Sequence, residues 1–142
     1  MTVPIPTVTR TIEKKACAGN VAQVITVPAG VSWSIKALAI KLVTDATVAN
    51  RQVTVKFVDA EDDHLFNARL GVAHAASLTR YYTYGPGLPD GVAFIDTDKL
   101  MGVLPTGFRL VSGSDINISI TLGVAGDAFE YRVVVEETDN GV

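Results

Sequence analysis

The chain has 142 residues and a formal net charge of −3. That length fits a single domain, and the mildly acidic balance argues against a dedicated nucleic-acid binder, because such proteins carry a basic surface. Hydrophobic residues make up 48% of the sequence and charged residues only 19%, which is below the quarter or so that is typical of globular domains. So little charge indicates either a core rich in Val and Ala or a surface that is buried in an assembly.

The N-terminal stretch "MTVPIPT", residues 1–7, differs from everything that follows. Pro4 and Pro6 lack a backbone N–H donor and restrict their neighbours, so this stretch does not suit a central strand. Val3 and Ile5 are apolar but lie outside the alternating segments. The sequence therefore predicts an extended arm that contacts another chain through these four residues, with a frayed terminus as the plain alternative.

No basic segment followed by an apolar run marks a secretory signal, and no apolar run approaches the length of a membrane span. We therefore expect synthesis in a cytosol and no membrane partner.

After the arm, the sequence predicts one domain over residues 8–142, built from segments that alternate apolar and polar residues with a period of two. In "DINISITLG" the alternating apolar residues include Ile116, Ile118 and Ile120. We expect them in the core together with Trp33. Turns such as "VPAG" and "LPTG" separate the segments. The predicted strands are residues 8–15, 21–27, 32–43, 52–58, 65–70, 78–84, 93–96, 108–111, 116–122 and 129–137.

About ten short strands with frequent turns favour an all-β, two-sheet sandwich, and a jelly roll is the expected arrangement. In "VSWSIKALAIKL" the apolar phase slips after Ile35, which predicts a bulge near Lys36 and Ala37. We expect this bend to let the long strand cross between the two sheets. Residues 99–104 fit either a strand or a short helical turn.

Catalytic and metal-binding signals are weak. His64 and His74 are the only histidines, and no HxH, HExxH or CxxC pattern accompanies them. We expect surface or polar-network histidines, no metal centre and no cofactor. No GxSxG elbow is present, so we expect a protein that is not an enzyme. The acidic stretch "DAEDDH", residues 59–64, lacks the EF-hand spacing and is expected to be a solvated loop. Cys17 is expected to be a small buried residue.

Three tyrosines lie in "LTRYYTYGPG". On a strand, Tyr82 and Tyr84 share one face and Tyr81 lies on the other. Aromatic rings on a β-face can stack on sugars, which makes these three residues a candidate ligand-stacking platform. The plain alternative is that the rings are buried and the hydroxyls stay wet.

The polar insert "TDATVANR" lies between two long predicted strands. Asp45 and Asn50 suit local backbone hydrogen bonds at the ends of a loop. We expect Arg51 to pair with Asp45 at the surface and close the base of this loop, with a gain of about 0–1 kcal/mol.

Five stretches together resemble a known class of protein: "VPAGVSWSI", "TDATVANRQV", "LPTGFRL", "GSDINISI" and "EYRVVVEE". Over residues 25–137 the chain resembles the small head decoration, or cement, proteins of tailed bacteriophages. The resemblance implies a β-sandwich that forms a homotrimer, binds the major capsid protein on the outside of the virion and needs no cofactor. It implies synthesis in the host cytoplasm and supplies no catalytic residues. Thr47, Asn50 and Arg51 then become candidate capsid or subunit contacts.

Two other classes of function stay open. One is a phage tail or neck protein, or a receptor- or carbohydrate-binding module that uses the three tyrosines, which glycan-array binding would distinguish. The other is a β-sandwich enzyme, which a bound metal or a deep polar pocket would favour.

Overall fold

The computed structural model describes residues 7–69, 72–87, 93–96, 98–105, 107 and 109–140, and among them it has eleven strands and no helix. The predicted contacts of the arm, Val3, Pro4, Ile5 and Pro6, lie outside the described residues. The strands are β1 (Thr7–Ala18), β2 (Gln23–Thr26), β3 (Val31–Val43), β4 (Gln52–Val58), β5 (His64–Arg69), β6 (Thr79–Pro86), β7 (Ala93–Asp96), β8 (Lys99–Leu104), β9 (Arg109–Leu110), β10 (Asp115–Thr121) and β11 (Ala128–Asp139).

The strands form two sheets. The large sheet has the order β1-β11-β3-β6-β8-β7, with β9 beside β3, and the small sheet has the order β2-β10-β4-β5. Along β1-β11-β3-β6 and throughout the small sheet, every neighbouring pair is antiparallel. These two sheets make an all-β sandwich, so the predicted fold class is confirmed, and the four-strand orders β1-β11-β3-β6 and β2-β10-β4-β5 are those of a jelly roll.

The segment between β6 and β10 adds three strands to the large sheet. β8 pairs in parallel with β6, β7 pairs with β8, and β9 pairs with the first part of β3. Residues 99–104, which fitted either a strand or a helical turn, form β8. Leu100, Gly102 and Leu104 are buried there and their neighbours are not, which is the period of a strand.

One apolar core lies between the sheets. Trp33, Ile116, Ile118 and Ile120 are all buried, as predicted. β3, β4, β10 and β11 send alternate side chains inward, which is why the period of two in the sequence identified the buried face. Further core residues are Ile35, Leu38, Ile40, Leu42, Val53, Val55, Phe57, Phe129, Tyr131, Val133 and Val135.

β3 carries the predicted bulge. Ala37 and Ile35 lie opposite consecutive residues of β11, so Lys36 is the extra residue. The predicted crossing between sheets is wrong, because both halves of β3 stay in the large sheet. The bulge instead restores the inward phase, so that apolar side chains before and after it face the same core.

β1 is an edge strand of the large sheet and begins one residue earlier than predicted, at Thr7. Most of its side chains are exposed on both faces. Arg10 pairs with Glu137, and Glu13 pairs with Arg132. Charges along an open edge hinder uncontrolled pairing with other strands.

Candidate functional site

Four loops gather at one end of the sandwich. They are the connections β1–β2, β3–β4, β5–β6 and β10–β11, and we term their described residues the loop end: 19–22, 44–51, 72–78 and 122–127. Backbone hydrogen bonds join neighbouring loops directly. The N–H of Gly19 donates to the carbonyl of Asp127 at 2.8 Å, and the N–H of Ser77 donates to the carbonyl of Asp45 at 2.8 Å.

Arg51 lies at the centre of the loop end and is completely buried. Its Nε donates to Oδ2 of Asp127 at 2.9 Å, and its Nη2 donates to Oδ1 of the same carboxylate at 3.0 Å. Nη2 also donates to Oδ1 of Asp45 at 3.1 Å, and Nη1 to the carbonyl of Ala49 at 3.1 Å. The planar fork of one guanidinium therefore ties the β3–β4 loop to the β10–β11 loop.

Asp127, on the β10–β11 loop, accepts further hydrogen bonds that hold the two loops together. Besides Arg51, its carboxylate accepts hydrogen bonds from the N–H groups of Asp45 and Val124, each at 3.0 Å. Burial raises the pKa of Asp127, but the hydrogen bonds from Val124, Arg51 and Asp45 outweigh burial and hold the pKa below its ordinary range. The carboxylate is therefore ionised and matched to the buried guanidinium.

His74 brings the β5–β6 loop into the same network, and its side chain is buried. Its N–H and carbonyl pair with the carbonyl and N–H of Arg51 at 2.7 and 3.1 Å. The ring Nε2 lies 3.0 Å from the carbonyl of Leu78, and Nδ1 lies 2.8 Å from the hydroxyl of Tyr82. A carbonyl only accepts, so Nε2 carries the proton and Nδ1 accepts from the tyrosine.

The pKa of His74 is lowered. Burial is the main cause, and the positive charges of Arg80 and Arg51 add to it, whereas the hydrogen bond to Leu78 opposes it. The ring is therefore neutral at neutral pH. We term Arg51, Asp45, Asp127, His74 and Tyr82 together the Arg51 network.

Two glycines show how closely the loops approach one another. A Cβ on Gly126 would overlap the carboxylate of Asp45, and a Cβ on Gly123 would overlap the carbonyl of Gly19. Any other residue at these positions would push the β10–β11 loop away from its neighbours. The loop end is therefore a packed surface rather than four separate loops.

The outer surface of the loop end carries exposed aliphatic side chains and little exposed charge. Val48 is 93% exposed, Leu122 is 65% exposed and Val21 is 51% exposed. The loop end contains no Lys, Glu, Phe, Tyr or Trp. Arg51 and Asp127 are buried, and the side chain of Asp45, one-third exposed, is held by Arg51.

The three residues predicted as loop contacts have different surroundings in the structure. Thr47 and Asn50 are exposed on the β3–β4 loop. Arg51 is completely buried, so its assignment as a surface contact is wrong, and it holds the loop from inside instead. The predicted pair with Asp45 is formed, but its description as a small surface gain is wrong, because the main partner of Arg51 is the buried Asp127.

The structure does not form the candidate platform of three tyrosines. Tyr82 and Tyr84 are buried in the core, where their rings are not available to a ligand. Tyr81 alone of the three is exposed, at 38%. The Nζ atoms of Lys41 and Lys99, on the two neighbouring strands, lie 5.8 and 5.9 Å from the centroid of its ring. Lysines thus already contact the one exposed ring, which weakens the sugar-stacking interpretation.

A shallow groove of about 230 Å³ runs beside Tyr81 on the outer face of the large sheet. Its floor includes Ala39, whose short side chain leaves the space. Charges of both signs line it, including Lys15, Glu130 and the paired Glu13 and Arg132. Nothing in this mixed lining selects a ligand charge.

The remaining polar candidates have ordinary surroundings. His64 is exposed. In the acidic stretch, Oδ1 of Asp59 accepts the N–H groups of Glu61 and Asp63, so it closes a turn. Cys17 is buried, as predicted, and burial raises the pKa of its thiol. Within the described ranges no three His, Cys, Asp or Glu side chains come together in a way that suits a metal ion.

No protein-family profile matches the chain, and no curated protein matches it. Within the part of the chain that the structure describes, there is no helical segment with the length and apolar character needed to cross a bilayer.

Proposed function

We propose that this protein is a non-enzymatic structural protein of a virion, a decoration or cement protein that binds the outside of a bacteriophage head, through the major capsid protein, and stabilises it. The observation that carries the proposal is the buried Arg51 network, which connects loops of one end of a jelly roll into a single packed surface. Fixed surfaces favour tight, lasting association, because little conformational entropy remains to be lost on docking.

The chemistry of the loop end supports docking more than catalysis. Its ionisable groups are paired with one another, and its large exposed side chains, Val48, Leu122 and Val21, are aliphatic beside uncharged polar ones such as Thr47 and Asn50. Exposed apolar side chains gathered at one end of a small domain are typical of a site for association with another protein. The sequence resemblance to phage decoration proteins points in the same direction.

The proposal includes a homotrimer and an N-terminal arm. β1 supplies an edge that is exposed on both faces, and the arm, residues 1–6, precedes Thr7 at the start of that strand. We expect light scattering after gel filtration to report about three times 15.0 kDa. A stable monomer at high micromolar concentration contradicts the trimer. Deleting residues 2–6 should leave the melting temperature unchanged and weaken attachment to heads or assembly, whereas unchanged attachment and assembly would make the arm only a tail.

The test of the function uses phage heads that lack this protein, isolated from a virus in which its gene has been deleted. We expect the purified protein to sediment with these heads at a fixed number of copies and to raise the temperature at which they break open. Phage tails serve as the second probe. Binding to tails but not to heads would support the tail or neck alternative, and binding to neither would contradict a virion role.

A further inference from the structure

We propose that the loop end is the surface that binds the head, and that its counterpart is an uncharged, aliphatic patch on another protein. This inference rests on the proposed function and goes beyond it, because it names the face, the side chains and the chemistry of the partner. Val48, Leu122 and Val21 are the side chains that make the contact.

The distribution of charge determines the chemistry of the partner. The charged side chains of the loop end are Asp45, Arg51 and Asp127, and both carboxylates accept hydrogen bonds from Arg51. A partner that placed its own charge against the exposed aliphatic side chains would bury that charge without a counter-ion, which costs far more than an apolar contact gains. The matching surface is therefore uncharged where it meets Val48, Leu122 and Val21.

Val48 is the most exposed of the three aliphatic side chains. Its side chain is 93% exposed at the tip of the β3–β4 loop. The loop behind it is fixed by Arg51, which donates to the carbonyl of Ala49, and by Asp45, whose Oδ1 accepts the N–H of Thr47 at 2.9 Å. An aliphatic side chain on a fixed loop can enter a pocket of the partner without an ordering cost.

Leu122 gives an independent reason to regard this end as a binding surface. Its backbone is in the left-handed region, with φ of 59°, where leucine is uncommon, and its side chain is 65% exposed. Asn or Gly would fit this conformation with less strain, and neither would expose aliphatic surface to water. A strained, exposed leucine is explained if its side chain is buried in the complex.

Nucleic acid and membranes are poorer partners for the same surface. The loop end has no exposed Lys or Arg to contact phosphates. It also lacks the Trp, Tyr and Lys side chains that anchor proteins at a membrane interface. The aliphatic, uncharged surface is best suited to another protein.

The test measures binding of three variants to heads that lack this protein. Val48→Asp and Leu122→Asp each place a charge on the loop end, and we expect each to lower the affinity about tenfold or more, because the charge is desolvated on binding. Both should fold normally, since Val48 is almost fully exposed and Asp tolerates a left-handed backbone better than Leu. Val24→Asp is the matched control on the outer face of the small sheet, where Val24 is 54% exposed.

Salt dependence is the second measurement. Affinity of the wild-type protein should stay constant or rise between about 0.05 and 1 M NaCl, because contacts between uncharged surfaces are not screened. A steep fall in affinity with salt overturns the uncharged contact, and so does equal binding by Val48→Asp, Leu122→Asp and Val24→Asp. In both cases wild-type binding still supports the proposed function. If the wild-type protein does not bind heads at all, the proposed function fails and this inference fails with it. Binding to neutral lipid vesicles instead of heads would assign the surface to membranes.

Discussion

The guanidinium of Arg51 and the carboxylate of Asp127 form a two-pronged hydrogen-bonded pair at 2.9 and 3.0 Å, with both side chains buried. Removing one member of a buried pair leaves the other charge without a partner. We expect Arg51→Ala to lower the free energy of unfolding by about 3–5 kcal/mol, measured by urea denaturation.

The matched control for that substitution is Arg132→Ala. Arg132 pairs with Glu13 at 3.0 Å, but the two side chains are 59% and 33% exposed. An exposed pair of this kind contributes about 0–1 kcal/mol. Equal destabilisation by the two substitutions would show that Arg51 has no special structural role.

Two tyrosines on β6 allow the same substitution to be compared in two surroundings. The hydroxyl of Tyr82 donates to His74, whereas the buried hydroxyl of Tyr84 has no partner among the described residues. Tyr82→Phe leaves Nδ1 of His74 without its donor and should cost about 1–3 kcal/mol. Tyr84→Phe removes an unpaired polar group and should leave the stability unchanged or raise it. Thermal unfolding measures both, and the opposite order would show that the partners are assigned wrongly.

Stability should fall as the pH falls below about 6.5, the ordinary pKa of histidine. Burial lowers the pKa of His74 in the folded chain, so the unfolded chain takes up a proton first, and each step toward lower pH favours unfolding. Asp127 adds a second loss below about pH 4, because its folded pKa is also lowered.

Substitutions of the two histidines test which one causes the loss of stability at low pH. His74→Gln should flatten the fall in melting temperature between about pH 6.5 and 5, the window in which a free histidine takes up its proton. His64→Gln should leave this fall unchanged, because His64 is exposed. An unchanged slope in His74→Gln would contradict the buried neutral ring.

Substitutions on the two faces of β10 should differ in their effect on stability. Ile118 is completely buried between the sheets, whereas Asn117 lies on the outer face and is partly exposed. We expect Ile118→Ala to cost about 2–5 kcal/mol, and Asn117→Ala to cost within about 0.5 kcal/mol. Guanidinium denaturation distinguishes them, and similar costs would mean that the assignment of faces is wrong.

The inward face of β10 was predictable because it depends only on neighbours in the sequence: Ile116, Ile118 and Ile120 alternate with polar residues, and a strand must send them to one side. The bulge at Lys36 was predictable for the same reason, since the apolar phase slips there.

The Arg51 network was harder to predict from the sequence. Asp127 lies 76 residues from Arg51, in "VAGD", where it has the appearance of an ordinary turn residue. Only the jelly-roll connections bring the two loops together, so no local pattern marked the pair. His74 likewise had no motif around it, and its role depends on the backbone pairing with Arg51. One available signal was missed, namely that the described residues of the four loops include no Lys, Glu, Phe, Tyr or Trp.

Hydrogen exchange of the backbone amides in Asp127→Asn tests most directly whether the loop end is one connected surface. This substitution keeps the shape of the side chain but removes the charge that matches Arg51. The account predicts faster exchange in all four loops together, at Gly19, Asp45, His74 and Val124, with the centres of β10 and β11 unchanged. Faster exchange confined to the β10–β11 loop, with Gly19 and His74 still protected, would contradict it.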